Sequence, residues 1–106
     1  MINITITATP TIQKIEIEGH SDKGKEPCAR VTSAFEMMAN LLYKDRDQLE
    51  QREGYSLLVT NVTHENQEQL KMAQAYFNQL QVHYQKTIKI ENKEEKQIFL
   101  DWLIDL

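Results

Sequence analysis

Cysteine is nearly absent from this sequence: Cys28 is the only one in 106 residues. A single cysteine cannot form a disulfide within the chain, nor can it supply a Cys-x-x-Cys metal or redox motif. Clusters of basic residues are also missing, because the 12 Lys and Arg residues are interleaved with 16 Asp and Glu residues. Nucleic-acid binding depends on clustered positive charge, so the net charge of −4 argues against nucleic acid as the main partner.

Long apolar runs are absent as well. No stretch approaches the ~20 apolar residues that span a bilayer, and Met1–Thr5 does not begin the basic segment and apolar run of a signal peptide. We therefore expect a cytoplasmic protein with no membrane partner. A chain of 106 residues with 41% hydrophobic residues can build one core but not two, which predicts a single domain over residues 1–106.

The sequence does contain a clear strand pattern at its start. Apolar and polar residues alternate over residues 2–8, which is typical of a half-buried strand. Thr9–Pro10 supplies a turn, and a second strand is predicted over Thr11–Glu18. Together the two strands predict an antiparallel hairpin.

A long helix is predicted next. Pro27 suits its first position, where a missing N–H costs nothing, and Gly54 is a good C-terminal signal, so the helix is expected to run to about Glu53. Its apolar stripe consists of Val31, Ala34, Phe35, Met38, Leu41 and Leu42. The polar residues Lys44–Glu53 fit either a solvated extension of this helix or a linker, and the pattern leaves both open.

The second half of the chain predicts a strand, a helix, a short strand and a last helix. Tyr55–Val62 reads as a central strand, Thr63 can cap the helix after it, and Lys86–Ile90 forms the short strand. Asn92 and Glu95 make a start similar to a capping box for a helix over Lys93–Leu106. The predicted fold is α+β in the order ββαβαβ, a four-stranded sheet packed by helices, with an added C-terminal helix.

One cysteine and one histidine lie where the second strand meets the long helix. Cys28 would occupy the first turn of that helix, where free N–H groups and the helix dipole favour a thiolate. His20 precedes it at the end of the strand, so a folded loop could bring the imidazole to the sulfur. The same N–H groups could also stabilise a developing oxyanion.

Plainer interpretations of these residues exist. A lone cysteine is usually a small buried apolar residue, and a histidine near it usually has no role. Asp22 and Glu26 are expected to be solvated charges, as are His64 and His83. One cysteine and one histidine do not complete a zinc shell, so neither a metal nor a cofactor is expected.

The sequence resembles the ribosomal-processing cysteine protease family (Prp). The resemblance lies in Gly19-His20-Ser21 and in Cys28-Ala29-Arg30-Val31-Thr32, which are similar to the family's Gly-His-Ala/Ser and Cys-Ala-x-Val-Ser steps. Gly54-Tyr55 and the run Leu80–Ile90 also resemble family segments, and the element order matches over residues 1–90.

The resemblance implies a homodimeric α+β cysteine endopeptidase, with Cys28 as nucleophile and His20 as general base. Its expected substrate is a peptide or protein, namely the N-terminal extension of a ribosomal protein or a phage structural protein. The sequence departs from the family in its shorter His-to-Cys loop and in Lys25, which stands where the family has an acid. The alternative is therefore a catalytically silent relative that binds a protein partner, and a third possibility is an interaction protein whose Cys28 is core.

Overall fold

The alternating isoleucines at the start of the chain build the first hairpin of the fold. In the computed structural model, which describes residues 1–21, 24–42 and 46–94, strand β1 is Ile2–Ala8 and strand β2 is Ile12–Gly19. They pair antiparallel with Ile4 opposite Ile17 and Ile6 opposite Ile15, so these isoleucines share one face, while Ile12 at the start of β2 is out of phase with them. The turn is closed by Thr9, whose Oγ1 accepts from Ile12 N–H at 2.9 Å. The predicted hairpin is confirmed.

Two helices and three more strands complete the described fold. They are α1 (Glu26–Leu41), β3 (Arg46–Arg52), β4 (Tyr55–Asn61), α2 (His64–His83) and β5 (Ile88–Glu94). The strands form one sheet in the order β3-β4-β2-β1-β5, in which β5 runs parallel to β1 and the other pairs are antiparallel. The predicted α+β class is confirmed, but the predicted count of four strands is wrong, because the described part of the sheet has five.

The additional strand is β3, which the sequence analysis assigned to a helix tail or a linker. Helix α1 ends at Leu41, and the N–H of Leu42 bonds back to Met38 O at 3.0 Å. The helix does not continue because residues 46–52 contain one apolar residue, Leu49, and so offer no stripe to the core. Gly54 has a positive φ of 75° and shapes the turn between β3 and β4, rather than ending a helix.

The end of the chain also differs from its prediction. Strand β5 extends through Glu94, so a helix that begins at Lys93 is wrong for the two residues that the structure describes there. The strand pairs with β1 along its full length, up to Ala8 opposite Glu94. The backbone groups around Asn92 therefore take part in the sheet instead of starting a helix. The rest of the predicted C-terminal helix, residues 95–106, lies outside the described residues.

One hydrophobic core joins both helices to one face of the sheet. Phe35 of α1 and Phe77 of α2 are 0% exposed, and burial of each stabilises the fold by roughly 1.5–3 kcal/mol. The predicted stripe of the long helix is confirmed except at Leu41, which is 55% exposed. The cap of α2 is confirmed too, because Thr63 Oγ1 accepts from the N–H of Asn66 at 3.1 Å. This packing fixes the first turn of α1 beside the end of β2.

Candidate functional site

The candidate site forms where the end of β2 meets the turn between β3 and β4. Gly19, the last residue of β2, donates its N–H to Gly54 O at 2.9 Å, which ties the two segments together. Gly19 has a φ of 101°, and a Cβ at this position would collide with the carbonyl oxygen of Met1. Only glycine therefore allows the chain to turn from β2 into the loop that carries His20.

His20 is exposed, and its ring lies against Gly54. A Cβ built on Gly54 would come within 2.8 Å of His20 Nε2, so the absence of a side chain makes room for the imidazole. The backbone carbonyl of His20 accepts from the amino group of Met1 at 2.7 Å. The histidine thus stands on a backbone held from two sides, by Met1 and by the neighbouring turn.

Cys28 is the third residue of α1 and is partly buried. Lys25 is the N-cap and makes no side-chain cap, while Pro27 occupies the second helical position. The backbone N–H of Ser21 donates to Cys28 Sγ at 3.1 Å. The residue after His20 therefore contacts the sulfur directly.

Cys28 and His20 line the same open cavity, which has a volume of about 310 Å³. One side of the cavity is formed by α1, through Cys28, Val31 and Thr32, and its base includes the isoleucines Ile2 and Ile17. The opposite side is formed by the β3–β4 turn and its flanks, Gln51, Arg52, Glu53, Gly54, Tyr55 and Ser56. The two residues that the sequence singled out as catalytic candidates are thus brought to one cavity.

Sequence reasoning missed the Gln51–Ser56 side of this cavity. The sequence predicts the end of a helix and the start of a strand there, because Gly54 fits both a helix end and a hairpin turn. Alternation over residues 46–52 is weak, since Leu49 is the one apolar residue among them. A two-residue turn at Glu53-Gly54 was the one available signal for a hairpin.

A larger cavity of about 390 Å³ lies between α1 and α2. It is lined by apolar side chains such as Met37, Leu41, Met72 and Tyr76, and no cysteine, histidine or acid is among its described lining residues. Volume alone favours this cavity, but chemistry favours the smaller one, because a reaction needs a nucleophile and a base. We therefore take the cavity beside Cys28 as the candidate active site.

Glu26 faces Tyr84 rather than the cavity. Its Oε1 accepts from the hydroxyl of Tyr84 at 2.9 Å and from Arg30 Nε at 3.1 Å. The hydrogen bond from Tyr84, followed by that from Arg30, lowers the pKa of Glu26 below its ordinary value. Partial burial, followed by the bond to Glu26, raises the pKa of Tyr84. The contact joins the first turn of α1 to the end of α2, across a sequence separation that no motif could indicate.

The other candidates from the sequence do not line the cavity. His64 and His83 are exposed at the first and last positions of α2, and Lys25 is exposed before α1. Asp22 lies outside the described residues. Within residues 1–21, 24–42 and 46–94, no group of three or more His, Cys, Asp and Glu side chains could hold a metal ion. No helix in the same ranges is long and apolar enough to cross a membrane.

The fold is similar to solved structures of the ribosomal processing protease Prp from S. aureus. A complex with a covalently linked product peptide matches with a TM-score of 0.75 and 19% identity, over 88% of this chain and 100% of the other. This chain has the Prp fold. A Prp complex with a substrate peptide matches at a TM-score of 0.70 and 18% identity, over the same shares of the two chains.

A third structure extends the comparison beyond S. aureus. The protein SMU.848 from Streptococcus mutans matches with a TM-score of 0.67 and 17% identity, over 90% of this chain and 96% of the other. No protein-family model and no curated protein sequence matches this chain. The expected resemblance to Prp is thus confirmed, and at these identities it is a likeness of fold.

Proposed function

We propose that this chain is a cysteine endopeptidase in which Cys28 is the nucleophile and His20 is the general base. The observation that carries the proposal is the shared cavity: both side chains line it, and Cys28 does so from the first turn of α1. The N–H of Ser21, the residue after His20, donates to Cys28 Sγ and so ties the proposed nucleophile to the segment that carries the proposed base. The Prp fold supports the proposal independently.

The proposed reaction has two stages. The Cys28 thiolate attacks the scissile carbonyl carbon, an S–C bond forms, and the carbonyl π electrons move to oxygen, where N–H groups at the helix start can stabilise the charge. When the oxyanion collapses, the C–N bond breaks and the leaving nitrogen takes a proton from the His20 imidazolium. His20 then removes a proton from water, whose oxygen attacks the thioester carbon. The C–S bond breaks and the sulfur takes the proton from His20, so that the carboxylic acid product and the free Cys28 thiol are released.

We further propose that the substrate is a peptide segment of a ribosomal protein or a phage structural protein. S. aureus Prp is described as a ribosomal processing protease, and its structures contain a substrate peptide in one case and a covalently linked product peptide in the other. A cavity that is open to the surface fits an extended segment of a protein chain better than a closed small-molecule pocket would. A homodimer in the cytoplasm completes the proposal.

One observation favours a second function, that of a silent relative that binds a protein partner. Among the described residues, the hydrogen bond to Cys28 Sγ comes from the backbone of Ser21, and the His20 ring rests on Gly54. Lys25 also stands where the Prp family has an acid. A chain of this kind would hold a peptide in the cavity without cleaving it.

Cleavage of a complex peptide mixture tests the proposal. A tryptic digest of a bacterial extract, with its amines blocked, is incubated with the parent protein, and new N-termini are identified by mass spectrometry. An endopeptidase gives new N-termini that disappear in Cys28→Ala and His20→Ala and persist in His64→Ala, which alters an exposed residue away from the cavity. Absence of any Cys28-dependent cleavage would contradict it, and retention of peptides on the parent protein would then favour the silent relative.

A further inference from the structure

Strand β3 lies at the edge of the sheet and ends at the candidate active site. In the described part of the sheet, β3 pairs with β4 alone, so its other side has no neighbouring strand. Its last residues, Gln51 and Arg52, line the cavity that contains Cys28 and His20. An edge strand presents unpaired N–H and C=O groups that can form hydrogen bonds with another extended chain.

The pairing of the sheet identifies which backbone groups of β3 face outward. The bond from Gly19 N–H to Gly54 O flanks the Glu18–Tyr55 pair, which makes that pair a non-hydrogen-bonded one. Tyr55 therefore directs its own N–H and C=O away from β2, towards Arg52 of β3.

Alternation along β3 then gives the remaining directions. Arg52 and Glu50 direct their backbone groups inward to β4, while Gln51 and Leu49 direct theirs outward. Leu49 and Gln51 are two residues apart, so their outward N–H and C=O groups lie along the same edge of β3. An added strand forms its hydrogen bonds with groups in this arrangement.

Gln51 and Leu49, whose backbone groups face outward, have uncharged side chains, which is unusual for an exposed edge strand. Edge strands are commonly protected by charged side chains or bulges. Of the four charged residues of β3, Arg46 and Asp47 lie at its start, whereas Glu50 and Arg52 form an ion pair at 2.7 Å and lie at positions whose backbone faces inward. Leu49 is 41% exposed on the face that carries the cavity. The irregularity in the register falls between Arg46 and Gln48, outside this segment.

We propose that the outer edge of β3 binds the peptide substrate as an added strand, through the backbone N–H and C=O groups of Gln51 and Leu49. The inference rests on the proposed protease function and names how that site recognises its substrate: by the extended main chain. An added strand would lie about 4.8 Å from β3, and the regular segment from Gln48 to Arg52 can pair with roughly four peptide residues. Such a strand leads along Leu49 and Gln51 to the cavity that Gln51 and Cys28 both line.

Main-chain recognition can be tested without knowing the natural substrate sequence. Two probes are compared: acetyl-Ala vinyl sulfone, and acetyl-Ala-Ala-Ala-Ala vinyl sulfone, which differ by three alanines. In both, the Cys28 sulfur adds to the vinyl carbon, the π electrons move to the carbon beside the sulfone, and that carbon takes a proton. Because Cys28 is the only cysteine, mass spectrometry follows its labelling alone. We expect the longer probe to react about tenfold faster, as a few net hydrogen bonds allow.

The position of each backbone contact provides the specific signature. Methylation of one alanine nitrogen at a time should remove the rate gain at alternate positions only, because alternate residues of a strand face the partner. On the protein, Leu49→Pro removes an outward N–H, and proline is tolerated where that N–H faces solvent. Leu49→Ala is the matched control, since it removes the side chain but keeps the N–H. We expect Leu49→Pro to lose the gain and Leu49→Ala to keep most of it.

The outcomes separate this inference from the protease proposal. Equal rates for the two probes, or loss of the gain at every methylated position alike, would overturn strand addition while leaving the reactivity of Cys28 intact. His20-dependent labelling by the short probe reports on the proposed dyad alone. Failure of both probes to label Cys28 would contradict the inference and the proposed function together. The methylated probes use the unaltered protein, so the result does not depend on whether Leu49→Pro folds.

Discussion

The imidazole of His20 occupies the space in which a side chain on residue 54 would lie, and Gly54 has none. A Cβ on Gly54 would approach His20 Nε2 to 2.8 Å, which is closer than real Cβ atoms come to a neighbour. The β3–β4 turn therefore holds the candidate base in its place at the cavity, although the two residues are far apart in sequence. This contact makes the turn a part of the site rather than a connection beside it.

Gly54→Ala should displace the His20 ring and slow the reaction of Cys28 with electrophiles. The new methyl group has to push aside the imidazole, which is the end of an exposed side chain. Alkylation by iodoacetamide at pH 7 measures the effect. Gly24→Ala is the control, because Gly24 also has a positive φ, 105°, but a Cβ there meets nothing within 4 Å. Equal rates in the two variants would show that the contact does not matter.

Gly19→Ala should destabilise the protein more than Gly24→Ala does. Both replacements carry the cost of a positive φ, roughly 1–3 kcal/mol. Only at Gly19 does the added Cβ collide with backbone, the carbonyl oxygen of Met1, so β1 and the end of β2 must separate. Urea unfolding of the two variants gives the difference. If Gly19→Ala were no less stable than Gly24→Ala, the close approach of Met1 would be absent in solution.

Tyr84→Phe should lower the melting temperature in a manner that depends on pH. The pKa of Glu26 is lowered in the folded protein, so the ionised form contributes stability above its ordinary value of 4.5. That contribution is lost as the pH falls through the lowered pKa of the folded state. The melting temperature of Tyr84→Phe is therefore expected to lie below that of the parent at pH 7, and this difference should shrink below pH 4.5.

A calorimetric series from pH 7 to pH 3 measures this deficit. Tyr76→Phe is the matched control, since Tyr76 lies on the same helix and faces the cavity between α1 and α2 instead. A deficit that stays constant with pH would show that Tyr84 contributes by packing alone and that its bond to Glu26 has no role.

Phe35→Ala should lower the stability of the folded protein strongly. Phe35 is 0% exposed and belongs to the core formed by both helices and the sheet, so its truncation is expected to cost about 3–5 kcal/mol. Met37→Ala on the same helix should change the stability by less than about 0.5 kcal/mol, because Met37 is 55% exposed. Chemical denaturation distinguishes the two. Similar losses in both variants would contradict the assignment of the buried face.

The sequence was sufficient for elements with strong periodicity. The alternating isoleucines of β1, the pair Ile15 and Ile17 of β2, and the apolar stripe around Phe35 repeat at the period of a strand or a helix. The structure buries them as predicted, apart from Leu41. Thr63 and Pro27 marked the helix starts because their side chains suit those positions for local reasons. The predicted strand end at His20 and helix start at Cys28 likewise allowed the two residues to be predicted as a pair.

The sequence failed where pairing with distant residues decides the structure. Residues 46–52 carry a polar sequence that is compatible with a helix tail, and they form a strand because β4 offers a ladder on that side. Lys93 and Glu94 extend β5 because β1 pairs with them. The contact between Glu26 and Tyr84 likewise joins residues 58 positions apart, and no local pattern predicts it.

The central claim is that Cys28 and His20 act together, and the pH dependence of alkylation tests it most directly. The rate of reaction with iodoacetamide is measured from pH 4 to pH 10 in the parent, in His20→Ala and in His64→Ala. The account predicts that the reaction of Cys28 depends on His20: His20→Ala should slow it near neutral pH and change the shape of the rate profile, and His64→Ala should leave the profile unchanged. A profile that is the same with and without His20, or no reaction before unfolding, would contradict the dyad.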